Sequence, residues 1–218
     1  RDRLGVKPLY YHAKEDYLSF GSELKAILAD ERIKRIVDHQ AIYDYLSLCY
    51  VPEPATGFKD IYSLLPGHYL MYNGNKGTVE VTKYYSPLTV AKDNKTSYAE
   101  AKKELKDILA NSVKLQLMSD VSIGTFLSGG IDSSLVTAFS AQQSEKQIQS
   151  FTVKFADKQY DESYYAKLMA DHCGAVYNEL YIKEQAIDAS TLEGILSHFD
   201  QPFGDSSSVP TYLISSLI

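Results

Sequence analysis

The sequence predicts an α/β chain in two parts, a β-rich amino-terminal half followed by a doubly wound parallel sheet. Three observations carry this. Segments of period two, such as GHYLMY and TVEVTKYY, dominate residues 1–85. From residue 97 onward strand-like and helix-like segments alternate, and two consecutive βαβ units demand a parallel sheet with right-handed crossovers. The textures meet at SPLTVAKDNKT, residues 86–96, which is polar, contains a proline and has no period, and therefore reads as a linker.

In the first part, VKPLYY and YLSF flank a polar HAKED turn and form a hairpin. SELKAILAD is a short helix, and DHQAIYDYLSLCY is a second one with Asp38 as its N-cap. GHYLMY and TVEVTKYY alternate around NGNKG, a strong turn signal. In the second part, Ser97 and Glu100 make a capping box. Ala101, Leu105, Ile108, Ser112 and Leu115 follow at helical spacing and predict one buried stripe. VSIGTFL, 121–127, is a strand, and IDSSLVTAFSAQQ is a helix after a glycine-rich turn. SFTVKF, 150–155, alternates Phe151, Val153 and Phe155 against polar neighbours as a second strand. Asp161 caps the helix ESYYAKLMADHC, which stops at Gly174, and AVYNELYI, 175–182, is the third strand.

Composition removes several classes. Apolar residues are 44% and charged residues 23% of the 218, close to the globular average, so disorder and collagen are excluded. The apolar runs are only a few residues long, so no membrane helix is expected, and RDRLGVKP is no secretory signal. The net charge is −6, with lysines scattered among carboxylates, which argues against a nucleic-acid partner. Cys49 and Cys173 form no CxxC pair, so neither a disulfide framework nor a zinc site is expected, and a reducing cytoplasm fits. The five histidines show no metal-ligand spacing and read as solvated or structural.

One stretch carries chemistry. FLSGGIDSS, Phe126 to Ser134, sits where a parallel strand turns into a helix, the place where such sheets bind ligands. Gly129 and Gly130 permit close backbone approach and positive φ, and Ser128, Ser133 and Ser134 offer hydroxyls. The helix start adds free N–H groups and a positive dipole end, which suits an anion. Asp132 would repel a phosphate unless a cation lies between them. A Mg²⁺ held by one carboxylate and phosphate oxygens resolves the conflict. A Walker A loop is absent, because Gly130 stands where its lysine belongs and Ile131 where its Ser/Thr belongs. No G-x-G-x-x-G is present either.

SGGIDSS resembles the pyrophosphate loop of the N-type ATP pyrophosphatases, the adenine nucleotide α-hydrolase-like fold. RDRLGVKPLYY, FGSELKAIL, LPGHYL, FLSGGIDSS, SFTVKF with YDESYYAKLMA, and FDQPFGDSSSVPTYLIS occur in the same order in glutamine-dependent asparagine synthetases. That resemblance implies the tail of an αββα glutaminase sandwich over 1–85 and the first part of an ATP-binding synthetase domain over 97–218. It implies ATP and Mg²⁺ as cofactors, aspartate as acceptor, and ammonia drawn from glutamine. It leaves room for a homodimer without fixing the oligomeric state.

Carried over by residue, Leu127 through Ser134 (Leu127, Ser128, Gly129, Gly130, Ile131, Asp132, Ser133, Ser134) and Val153 are ATP-binding. Asp132 is the metal ligand, and Leu127 and Val153 act through backbone groups, their side chains being core. Asp205, Ser206 and Ser207 are the substrate region; the alternative for GDSSSVP is a helix start capped by Asp205 or Ser206 with Pro210 in the first turn. In YDES, Asp161 and Glu162 read as cap and first turn. No catalytic nucleophile is assigned. The family's glutaminase uses an amino-terminal cysteine, whereas Arg1 stands first here, and the family's SG-[DE]-G-[SG]-DE segment does not appear before Ile218. The expectation is a fragment that is itself inactive, with Leu70, Tyr72, Val79 and Val81 left uncovered. Two alternatives stand beside it: a relative that amidates another carboxylate such as a surface-sugar acid or closes a lactam, and a nucleotide-binding relative without turnover.

Overall fold

The computed structural model describes residues 1–87, 96–159, 161–182 and 188–216; most of the expected 86–96 linker lies outside these. The chain divides into two compact units, Arg1–Asn94 with Gly194–Ser206, and Lys95–Glu193 with Ser207–Ile218.

In the first unit, β1 (Tyr10–Ala13) and β2 (Leu18–Gly21) form the expected hairpin. β3 (Tyr62–Ser63) joins the other edge of β1 antiparallel. Two residues carry no alternation to read, and sequence patterning misses this strand. α1 (Leu24–Leu28) buries Leu24, Ile27 and Leu28 against Ile33 and Ile61, with Tyr10, Tyr17 and Phe58 around them. α2 (His39–Leu48) starts where expected, the Asp38 carboxylate accepting from the N–H groups of Gln40 and Ala41. His12 is buried, with Nδ1 2.8 Å from the Asp60 carbonyl and Nε2 3.2 Å from the Tyr17 hydroxyl, a structural role.

β4 (His68–Asn73) and β5 (Thr78–Lys83) pair around the NGNKG turn with Leu70 opposite Val81 and Tyr72 opposite Val79. The four share one face. Val79 and Val81 are exposed as expected, but Leu70 and Tyr72 are half-buried, and the Tyr72 hydroxyl donates to the carbonyls of Lys14 and Glu15.

The second unit is α/β with a parallel sheet. β6 (Gly124–Phe126), β7 (Gln149–Phe155) and β8 (Val176–Ile182) lie in that order, all parallel. α4 (Ile131–Gln143) and α5 (Ser163–Cys173) make the crossovers and touch each other, so they share one face. The Thr137 hydroxyl of α4 donates to Thr125 of β6 at 3.0 Å, which marks that face. Ser150 and Thr152 of β7 point the same way and are buried. Phe151, Val153 and Phe155 take the opposite face, against α7 (Ser208–Ser215). Helices therefore cover both faces, while the reversal of strand order that defines double winding does not occur among the three described strands.

α3 (Tyr98–Gln116) opens on the expected capping box. The stripe predicted along it is corrected. Leu105, Ile108 and Leu115 are 57%, 57% and 58% exposed. Val113 is the buried residue, flanked by half-buried Leu109, Ala110 and Leu117. The edge that meets α4 is displaced by about one residue, a rotation of roughly 100°, and Gln143 of α4 locks it by donating to the Ala110 carbonyl at 2.7 Å.

Two caps are also corrected. Ser207, not Asp205 or Ser206, stands at the N-cap position of α7, without a side-chain capping bond, although Pro210 sits in the first turn as expected. α5 has Glu162 as its N-cap residue, while the Asp161 carboxylate accepts from the Ser163 N–H at 3.0 Å, so Asp161 does the capping from one position earlier. Hydrogen bonding from the Ser163 hydroxyl, and then from its N–H, draws the Asp161 carboxyl below its usual range. α6 (Ala189–Leu196) is an element that the patterning did not show. No described helix is long and apolar enough to cross a membrane.

Candidate functional site

β6 ends at Phe126, and four residues carry the chain into α4. Leu127 anchors this turn from behind. Its side chain is 1% exposed and packs on Ala166 and Ala170, small residues that let α5 lie close to the sheet. Its N–H donates to the Phe151 carbonyl at 2.9 Å, and its carbonyl accepts from the buried Thr152 hydroxyl at 2.7 Å. Both backbone groups expected to meet a ligand are thus committed to the sheet, leaving only the second lone pair of the carbonyl.

Beyond Leu127 the loop is tied by its own serines. The Ser133 hydroxyl accepts from the Ser128 N–H at 3.3 Å and donates to the Gly130 carbonyl at 3.2 Å. The Ser128 and Ser133 hydroxyls are 3.0 Å apart, and the Gly130 N–H donates to Ser128 Oγ at 3.4 Å. Gly129 has φ +83°, and a Cβ there would stand 2.9 Å from Tyr165 Cβ and 3.0 Å from both the Ala166 nitrogen and the Glu162 carbonyl oxygen. The start of α5 thereby holds the loop from below.

Gly130 is the N-cap of α4 and brings no side-chain acceptor to its first turn. The N–H groups of that turn, with the positive dipole end behind them, form an anion cradle. Ile131 is 79% exposed, Asp132 is exposed in the first turn, and Ser133 and Ser134 are half-buried. Among the described residues no group of three His, Cys, Asp or Glu side chains converges on a metal position. Asp132 is a single exposed carboxylate in that first turn.

Val153 presents its backbone to the same place. In a parallel strand, residues two apart point N–H and C=O toward the same neighbour. Phe151 bonds toward β6 through Leu127, so Val153 also faces the β6 side, where β6 has already turned away. Below lies an apolar slot of about 220 Å³ floored by Phe126, Phe151, Val153 and Phe155 and covered by Pro210 and Ile214 of α7. Ser128 and Glu162 line its loop side. The alternation of Phe151, Val153 and Phe155 is legible in the sequence, but it reads there as core rather than as the floor of a slot.

The structure thus gathers Ser128–Ser134 and Val153 in the second unit. Asp205 and Ser206 fold with the first unit, where they line a cavity of about 660 Å³ with Tyr10, Leu24, Cys49 and Tyr50, whereas Ser207 begins α7 in the second. Along β8, Tyr177 donates to Glu179 at 3.0 Å, and Lys154 of β7 pairs with Glu179 at 3.1 Å. Burial, with the Glu179 charge, pushes the Tyr177 phenol up to about 12.

Comparison with known proteins matches residues 104–218 to the asparagine synthase family and residues 1–85 to a glutamine amidotransferase domain. Over all of its length the chain is 35% identical to a putative glutamine-hydrolysing asparagine synthetase 2 of Methanocaldococcus jannaschii. It is 31% identical, over 99% of its length, to glutamine-hydrolysing asparagine synthetase 1 of Bacillus subtilis. Over 94% of its length it is 31% identical to a protein of Penicillium rubens called amidase chyE. It spans 42%, 33% and 32% of those three relatives.

Proposed function

The chain belongs to the asparagine synthase family, and from that premise we propose that it is the nucleotide-binding part of an ATP-dependent ligase that amidates aspartate to asparagine. The observation that carries this is the loop Ser128–Ser134, a tied, glycine-bearing anion cradle opening beside an apolar slot of nucleoside size. The phosphates lie on the first-turn N–H groups of α4 and the loop hydroxyls. The base enters the slot over Phe151 and Val153. Asp132 would hold Mg²⁺, which would supply charge to offset that of the departing pyrophosphate.

In this reading a β-carboxylate oxygen of aspartate attacks the α-phosphorus of ATP, giving β-aspartyl-AMP and pyrophosphate. Ammonia drawn from glutamine then attacks the acyl carbon, and AMP leaves with the transferred oxygen. The loop's contribution is to hold the departing pyrophosphate on donors already oriented by Gly129 and the Ser128–Ser133 tie, so little reorganisation is needed as charge develops.

In a second reading the same nucleotide site activates another carboxylate. One experiment separates them. The full-length protein is given ATP, Mg²⁺, ammonium and aspartate labelled with ¹⁸O in its carboxylates. Asparagine, pyrophosphate and ¹⁸O-labelled AMP are expected in equal amounts. No pyrophosphate with aspartate, but release with a different acid, selects the second reading. Labelled phosphate in place of labelled AMP rejects cleavage at the α-phosphorus.

A further inference from the structure

We infer that Glu162 is a specificity-determining residue of the nucleotide site, its carboxylate accepting hydrogen bonds from the 2′- and 3′-hydroxyls of the ribose. This rests on the nucleotide reading above and adds to it. The two acidic residues of YDES are separated by the structure. Asp161 spends its carboxylate on the Ser163 N–H. The Glu162 backbone carbonyl accepts from the N–H groups of Tyr165 and Ala166, both at 3.1 Å, which fixes the residue at the start of α5. Among the described residues its carboxylate has no hydrogen-bond or ion-pair partner, and it is exposed, so solvation rather than pairing now satisfies it.

Position selects the ligand group. Glu162 lies against the phosphate loop, its carbonyl oxygen 3.0 Å from where a Gly129 Cβ would be, and it also lines the slot with Phe126, Phe151 and Val153. A nucleotide with phosphates on the loop and base in the slot must pass its ribose between the two, and Glu162 stands at that junction. It is the charged residue lining a cavity otherwise made of apolar side chains, Ser128 and Thr211. A carboxylate there repels phosphate and gains nothing from an apolar base face, but it is acceptor-only and matches a pair of hydroxyl donors.

The test uses calorimetric binding of ATP, 2′-deoxy-ATP and 3′-deoxy-ATP, each with Mg²⁺, to the full-length protein and to Glu162→Ala and Glu162→Gln. Unmodified protein should bind each deoxy analogue about tenfold more weakly than ATP, the size of one charge-assisted hydrogen bond. Glu162→Ala should weaken ATP about a hundredfold and each deoxy analogue about tenfold, so that the discrimination disappears. Glu162→Gln, which keeps the skeleton and one acceptor oxygen, should show an intermediate ratio and guards against a misfolded alanine variant, checked by its melting curve. Equal discrimination in all three proteins overturns the inference. So does a variant that weakens all three nucleotides alike, or one that shifts the Mg²⁺ requirement while leaving the ratios intact, the behaviour of a metal ligand. Absence of ATP binding by the unmodified protein overturns the nucleotide reading itself, a result that the ratios cannot mimic.

Discussion

Replacing Gly129 by alanine tests the construction of the loop, and Gly174→Ala provides its control. Both glycines are left-handed, at φ +83° and +68°. A side chain in that region costs about 1–2 kcal/mol. At Gly174, the C-cap of α5, a new Cβ meets nothing within 4 Å, so the backbone cost stands alone. At Gly129 the Cβ arrives 2.9 Å from Tyr165 Cβ and 3.0 Å from two backbone atoms of α5. Backbone atoms cannot swing aside as a flexible side chain can, and overpacking of this kind costs roughly a further 1–3 kcal/mol. The expected losses are therefore about 1–2 kcal/mol for Gly174→Ala and about 2–5 kcal/mol for Gly129→Ala. Urea titration with unchanged slope measures both, and calorimetry follows ATP. Gly129→Ala should lose ATP affinity as the loop lifts from α5, and Gly174→Ala should keep it. If Gly129→Ala is no less stable than Gly174→Ala and binds ATP normally, the loop is not seated on α5 as described.

Asp132→Asn should slow Mg²⁺-dependent pyrophosphate release by about a hundredfold or more, a cost of several kcal/mol in the barrier; equal release rates would reduce Asp132 to a first-turn dipole partner. Thr152→Val keeps shape but leaves the buried Leu127 carbonyl without its 2.7 Å donor, so a loss of about 1–3 kcal/mol is expected in denaturant titration. Asp38→Ala should cost about 1 kcal/mol by uncapping α2. The N–H groups of Lys7 and Val6 hold the Asp2 carboxyl at about 2 against its ordinary 3.8. A depressed carboxyl stabilises the fold above its unfolded pKa, and that contribution disappears as pH falls through the folded one. Melting curves of Asp2→Asn and the unmodified protein should therefore differ at neutral pH and converge as pH falls from about 4 to 2; a constant gap would mean that charge on Asp2 is irrelevant.

Much of the molecule was written in local order along the chain. The β1–β2 hairpin, the Asp38 cap, the turn between β4 and β5, the Ser97–Glu100 box and the crossovers α4 and α5 depend on neighbours a few residues apart, and a linear reading contains those neighbours. The loop Ser128–Ser134 belongs to this class, because a strand, two glycines, spaced serines and a helix start are all contiguous.

Other features required partners distant in sequence. Periodicity shows that one face of a helix is apolar but not which neighbour will meet it, so α3 packs through Val113 and leaves Leu105, Ile108 and Leu115 outward. Alternation in β7 separates Phe151, Val153 and Phe155 from Ser150 and Thr152. It cannot say that the threonine side is the closed one, because that depends on Thr125 and Thr137 pairing across 12 residues and on Thr152 reaching Leu127 across 25. The return of 194–206 to the first unit has no local signal at all, since Asp200 and Gln201 find their partners, the N–H groups of Lys25 and Gly57, 175 and 144 residues away. Glu162 shows both kinds of information together. That it starts a helix is decided by the residues beside it; that it lies between the loop Ser128–Ser134 and an aromatic slot is decided by the sheet, which brings β6 and β7 side by side.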